Sequence, residues 1–213
     1  KLDSMAMTRR MPSGCTPDPA GESVPRMTRS SWPSCLAILP EAKGDIAWKW
    51  PFDVLVKPAR QEEEYRFFDD MLACAAEQFN VNSNCVSSVG VSAGALFTDQ
   101  LASGRNKYLA SAMSLSGGVD GVAKPWGSPP RKLPMLVLWG GPMDNCLGLV
   151  NFQTASKALE SQLVKDGHFL VECVHNCGHD VPPVEDPTLG VAALYEFAFD
   201  HPYWLAPRES PYY

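Results

Sequence analysis

Apolar residues recur with a helical period between Gln61 and Asn80, where Tyr65, Phe68, Leu72, Ala75 or Ala76 and Phe79 share one face. Glu62 to Glu64 then sit at the positive end of the helix dipole, and the turn Asn80-Val-Asn-Ser-Asn84 ends the element. Beyond it the period changes. Cys85 to Val89 reads as a strand, Ala93 to Ser103 as a helix, and Ala110 to Leu115 as a second strand closed by Gly117-Gly118. A proline-rich loop from Lys124 to Arg131 leads to the apolar strand Leu133 to Trp139. The helix Asn151 to Asp166 turns Phe152, Ala155, Leu159 and Leu163 inward, with Gly167 as its stop. Phe169 to His175 is a further strand, and Thr188 to Phe199 a last helix. Cys35 to Leu39, ahead of Pro40, is a short apolar run and a buried-strand candidate. Strands alternating with helices predict an α/β chain, with a mostly parallel sheet covered on both faces.

Residues 1 to 34 fit no period. They are rich in Pro, Ser, Gly, Met and Arg and read as an irregular arm, which leaves 35 to 213 as one catalytic-size domain. The 213 residues suffice for one sizeable core, and 45% hydrophobic with 20% charged residues is ordinary for a globular enzyme. A net charge of −6 argues against a nucleic-acid surface, which needs clustered Lys and Arg. No apolar run approaches the ~18 residues that span a bilayer, and no secretory signal pattern opens the chain.

The chemistry concentrates in Gly90-Val-Ser92-Ala-Gly94, a Gly-x-Ser-x-Gly sequence with a strand running in and a helix running out. That setting projects a serine hydroxyl above a sheet at a nucleophile elbow, and it leaves the Ala93 N–H near a helix N-terminus, where it can face an oxyanion. A serine needs a base, and the base needs an orienting acid. All four histidines follow Ser92. His179, in the turn-rich Asn176-Cys-Gly-His-Asp180 after a strand, is the candidate base, and His175 at the strand end is its rival. His168 and His201 read as surface residues. Asp144, in Trp139-Gly-Gly-Pro-Met-Asp144 at another strand end, is the candidate acid, ahead of Asp180 and Asp120. The expected triad is Ser92, Asp144 and His179. Trp50 and Trp139 are candidate substrate contacts, although paired tryptophans such as Trp48 and Trp50 more often pack than bind. Cys173, His175, Cys177 and His179 interleave like metal ligands, but no second cluster completes a structural zinc site, so no metal is expected.

The strand with Gly90-Val-Ser-Ala-Gly94, then Trp139-Gly-Gly-Pro-Met-Asp144, then Cys177-Gly-His179 resembles the esterase branch of the α/β-hydrolases. The nearest groups are polyhydroxybutyrate-depolymerase-like and feruloyl-esterase-like proteins, and the similarity covers about residues 35 to 200. The resemblance implies a serine carboxylic-ester hydrolase working through an acyl-enzyme, with no metal or organic cofactor. Peptidase, thioesterase and non-catalytic binding readings use or tolerate the same residues. One departure stands out: no histidine precedes Ser92, so the His-Gly-rich segment that supplies such enzymes with a second oxyanion donor is missing, and that donor is unassigned. The N-terminal strands of the fold are unaccounted for in the same region.

Three expectations follow. The stretch from Gly118 to Leu133 is too short for a helical lid, so the site should be open and favour short-chain or small aryl esters. Cys146 and Cys177 flank the acid and the base, so a Cys146–Cys177 bridge would tie their loops, with two free thiols as the alternative. An uncovered sheet edge on the N-terminal side predicts a two-fold homodimer, against a monomer whose arm folds back. Seven cysteines and the resemblance favour a secreted or periplasmic setting.

Overall fold

The structure is a computed structural model, and it describes residues 36–40, 54, 57–120, 124–180, 194 and 196–199. The arm of residues 1 to 34, Trp48 and Trp50, His201 and most of the expected last helix lie outside the described residues.

The first helix, α1 (Pro58–Gln78), opens on a proline, whose missing N–H costs nothing in a first helical turn. It buries Tyr65, Phe68 and Ala75, as the period required. Phe79, expected on the same face, is 47% exposed, because the helix has already ended and the backbone there is extended. Glu62 to Glu64 fall in the second turn rather than the first, and they pair with arginines instead of capping the dipole. Arg105 reaches Glu62, and Arg60 reaches both Glu63 and Glu64.

Four strands then form one sheet. They are β1 (Ser87–Val91), β2 (Ser111–Leu115), β3 (Pro134–Trp139) and β6 (Phe169–Val174), in the spatial order β1-β2-β3-β6, and every pairing is parallel. α2 (Ala93–Gly104) connects β1 to β2. A two-residue hairpin, β4 (Asn145–Cys146) with β5 (Val150–Asn151), and α3 (Phe152–Asp166) connect β3 to β6. The side chain of Asn151 caps α3 by accepting the Thr154 N–H, and Gly167 ends that helix in a left-handed conformation.

Period-2 alternation sends Met135, Val137 and Trp139 to one face of β3, where they pack with Tyr65 and Phe68 of α1, Leu101 of α2, and Leu159 and Leu163 of α3. Leu136 and Leu138 face the other side, with Met113, Leu115, Val171 and the helical residues Leu194 and Phe197. The middle strand β2 is buried at every position, which is why its sequence is a plain apolar-and-small run without alternation.

The strand candidate Cys35–Leu39 is corrected. Residues 36–39 form no strand, and Leu36 and Leu39 are 39% and 56% exposed. Leu36 and Ile38 instead line an apolar groove with Phe67, Met71 and Phe79, so the run finds apolar contact on the flank of α1 rather than in the sheet. No helix among the described residues is long and apolar enough to cross a membrane.

Candidate active site

A parallel sheet delivers all its strand ends to one edge, and its loops meet there. The ends of β1, β2, β3 and β6 carry Ser92, Ser116, Gly140 to Asp144, and His175 to His179 respectively. Four segments far apart in sequence thus share one rim.

Ser92 occupies the turn between β1 and α2 with φ 55° and ψ −120°, a conformation an L-residue adopts only under constraint. Its N–H donates to Leu115 O at 2.9 Å, and its carbonyl accepts the Leu96 N–H. The strand behind the turn and the helix ahead of it therefore hold the strained backbone together. Gly90 is required by close approach: a Cβ there would stand 2.1 Å from Gly94 O, where the first turn of α2 lies on the strand. Gly94 is different, since a Cβ on it would meet nothing within 4 Å. Ala93 is the first residue of α2, so its N–H belongs to the helix's first, internally unpaired donors.

Ser92 Oγ lies 2.9 Å from His179 Nε2, and His179 Nδ1 lies 2.7 Å from Asp144 Oδ1. Asp144 is fully buried. Burial by itself would raise its carboxyl. Hydrogen bonds from His179, the Gly140 N–H and the Ser116 hydroxyl, with the His179 charge, outweigh burial and hold it below the usual carboxylate range. Asp144 therefore stays ionised. Phe152, 2% exposed, stacks on the His179 ring at 4.5 Å with planes 5° apart, and its own N–H donates to Asp144 O. Gly140 brings the acid and base loops together: its carbonyl accepts the Gly178 N–H, and an added Cβ would lie 1.7 Å from Gly178 O.

Ser92, His179 and Asp144 are brought together; their rivals are not. His175 accepts the Cys177 N–H on Nδ1, and its Nε2 has no hydrogen-bond partner among the described residues. Burial lowers its basicity. Asp120 is exposed, and the Nδ1 of His179 that Asp180 would need is taken by Asp144. Two readings are corrected. Trp139 is 3% exposed, donates its indole N–H to Glu160 and lies under Lys157, so it is a core residue and offers no face to a substrate. His168 is 7% exposed rather than on the surface; its Nδ1 accepts the Leu133 N–H and its ring meets the Trp126 edge. Trp50 lies outside the described residues.

The Cys146–Cys177 bridge is also corrected. Cys146 is a free thiol, whereas Cys177 is disulfide-bonded. In the β4–β5 hairpin Cys146 packs against Leu96 and Phe152. Among the described residues no group of three or more His, Cys, Asp or Glu side chains is arranged to hold a metal ion.

Sequence reasoning missed Ser116, Gly140 and Phe152. Ser116 sits in a Leu-Ser-Gly-Gly strand end that reads only as a stop, and Phe152 on a helix face that reads only as core; nothing local in either stretch points to Asp144 or His179.

No family model matches the sequence, and no curated protein matches it. Solved structures do. Native pOPH superposes with a TM-score of 0.57 at 18% identity, over 69% of this chain and 54% of that one. Native sOPH gives 0.54 at 20% identity, over 69% and 58%. The chain adopts the α/β-hydrolase fold. A carboxylesterase from Bacillus cereus matches at a TM-score of 0.49 and 19% identity, over 66% of this chain and 61% of that one. The chain spans little more than half the length of the first two structures it matches. As in other parallel α/β sheets, the α/β-hydrolase fold here gathers its polar side chains at the carboxyl ends of the strands.

Proposed function

We propose that this α/β-hydrolase chain is a serine carboxylic-ester hydrolase, with Ser92 as nucleophile, His179 as general base and Asp144 as the orienting acid. The supporting observation is the unbroken path of hydrogen-bond distances, 2.9 Å from Ser92 Oγ to His179 Nε2 and 2.7 Å from His179 Nδ1 to Asp144 Oδ1. Asp144, ionised and buried, fixes the tautomer that leaves Nε2 free to take the serine proton, and it stabilises the imidazolium that forms.

In this reading Ser92 Oγ attacks the ester carbonyl while its proton passes to His179 Nε2. The carbonyl oxygen becomes an oxyanion facing the Ala93 N–H. Collapse expels the alcohol, which takes the proton from His179, and leaves an acyl-serine. Water, deprotonated by His179, then releases the acid and restores Ser92. No metal or organic cofactor takes part in these steps. Among the described residues between β2 and β3 no helix is inserted over the site, which supports short-chain or small aryl esters as substrates.

The test is a series of p-nitrophenyl esters of increasing acyl length, with a thioester and an anilide of the same acyl group, and fluorophosphonate labelling of the intact chain. Ester turnover is expected to be greatest for acetyl to butyryl groups. Ser92→Ala and His179→Ala are expected to abolish it, and Asp144→Asn to lower kcat by about 10⁴ through loss of the tautomer. Full turnover by Ser92→Ala, or no fluorophosphonate adduct on Ser92, would show that the site is not the proposed one.

A further inference from the structure

Asp144 has two carboxylate oxygens, and only Oδ1 meets His179. Oδ2 accepts the Ser116 hydroxyl at 2.8 Å and the Gly140 N–H at 2.7 Å. A terminal carboxylate torsion is broad and roughly two-fold, so a single partner leaves the plane of the group free to swing. Two donors on the far oxygen fix that plane and aim Oδ1 at the histidine.

The backbone of Ser116 is a second, independent observation. It stands at φ 54° immediately after β2, in the left-handed region that an L-side chain adopts at a cost. Its N–H donates to Leu138 O of the neighbouring strand, and the residue is 4% exposed. Glycine would hold this backbone without strain. What serine adds is one hydroxyl, and that hydroxyl points at Asp144. A strained residue whose only distinctive group reaches a triad member points to a role in the site rather than in the core.

We propose that Ser116 is a positioning residue of the hydrolase. Its hydroxyl, with the Gly140 N–H, holds the far oxygen of Asp144 and so sets the near oxygen against His179. The proposal rests on the triad reading above. Ser116 touches neither substrate nor reacting atoms, and it acts through Asp144 alone.

The experiment is a double-mutant cycle on the full chain, assayed with a p-nitrophenyl ester. Ser116→Gly relieves the backbone strain and removes the hydroxyl, and Ser116→Ala serves as the alternative truncation; cooperative melting identifies the folded variants. The expected result is a fall in kcat on the order of 10- to 100-fold with KM changed by less than about twofold, since the misaimed acid disturbs geometry and not substrate contact. In an Asp144→Asn background, where there is no carboxylate left to aim, the same substitution is expected to cost less than about threefold more. A normal kcat in folded Ser116→Gly beside an inactive Ser92→Ala overturns the positioning role alone. So does a loss that multiplies in full with Asp144→Asn, or one confined to KM. If Ser92→Ala is itself fully active, the triad reading falls and takes this proposal with it.

Discussion

Replacing Asp99 by asparagine should stabilise this protein above neutral pH and do little near pH 4. Asp99 lies on α2 and is fully buried. Its Oδ2 accepts the Ser114 hydroxyl at 2.8 Å and the Gly118 N–H at 2.7 Å, while its Oδ1 has no partner among the described residues. Burial pushes its pKa from 3.8 up to about 7, and the two hydrogen bonds only partly oppose it. The folded chain therefore keeps a proton that the unfolded chain releases between about pH 4 and 7, so in this window stability falls as pH rises. At about 1.4 kcal/mol per pKa unit, the rise from 3.8 to about 7 corresponds to ~4 kcal/mol lost by pH 8. Asparagine reproduces the protonated carboxyl: its oxygen can take the two donors, and its NH₂ stands where the unpartnered oxygen was. Urea unfolding of wild type and Asp99→Asn at several pH values from 5 to 8.5 measures the difference. The variant's relative stability should climb by about 1.4 kcal/mol per pH unit until about pH 7 and then level off. A difference that is the same at pH 5 and pH 8, or one in which wild type gains with pH, would refute the reasoning.

Two further outcomes follow from contacts around His179. Phe152→Ala should destabilise the chain by about 3–5 kcal/mol by thermal melting, and below its melting point it should lower kcat more than KM, because the imidazole loses the ring that fixes its plane. Gly140→Ala should lower ester turnover by about 10²-fold or more, because the new Cβ would displace the Gly178 carbonyl and move the base loop off the acid loop; turnover near wild type would contradict that close approach.

The hydrophobic pattern was enough to place β1, β2, β3, β6 and the helices between them to within a few residues, because each buries a face whose period is written locally. The sharp turn at Ser92 was legible for a similar reason: Gly90 sits where only a glycine tolerates the return of α2 against the strand. The meeting of Ser92, Asp144 and His179 could be anticipated, because in a parallel sheet each loop follows its own strand to the same edge. The run from Leu36 to Leu39 was misread, since an apolar segment shows that it needs cover but not whether a sheet or the flank of α1 will give it. Trp139 was misread as well, because the end of β3 looks like a site lip in sequence and is closed over by Glu160 and Lys157 of α3 only in three dimensions. The contacts around Asp144 and His179 were beyond local reading altogether. Ser116 meets Asp144 from another strand, Phe152 meets His179 across a helix start, and Cys146 packs with Leu96 and Phe152 as a free thiol. The sequence by itself determined which residues alternate, where each strand and helix runs, and which three residues to propose as a triad. The tertiary structure decided which side chains hold those three, because a contact between distant segments depends on how the elements pack and leaves no periodic trace in either segment.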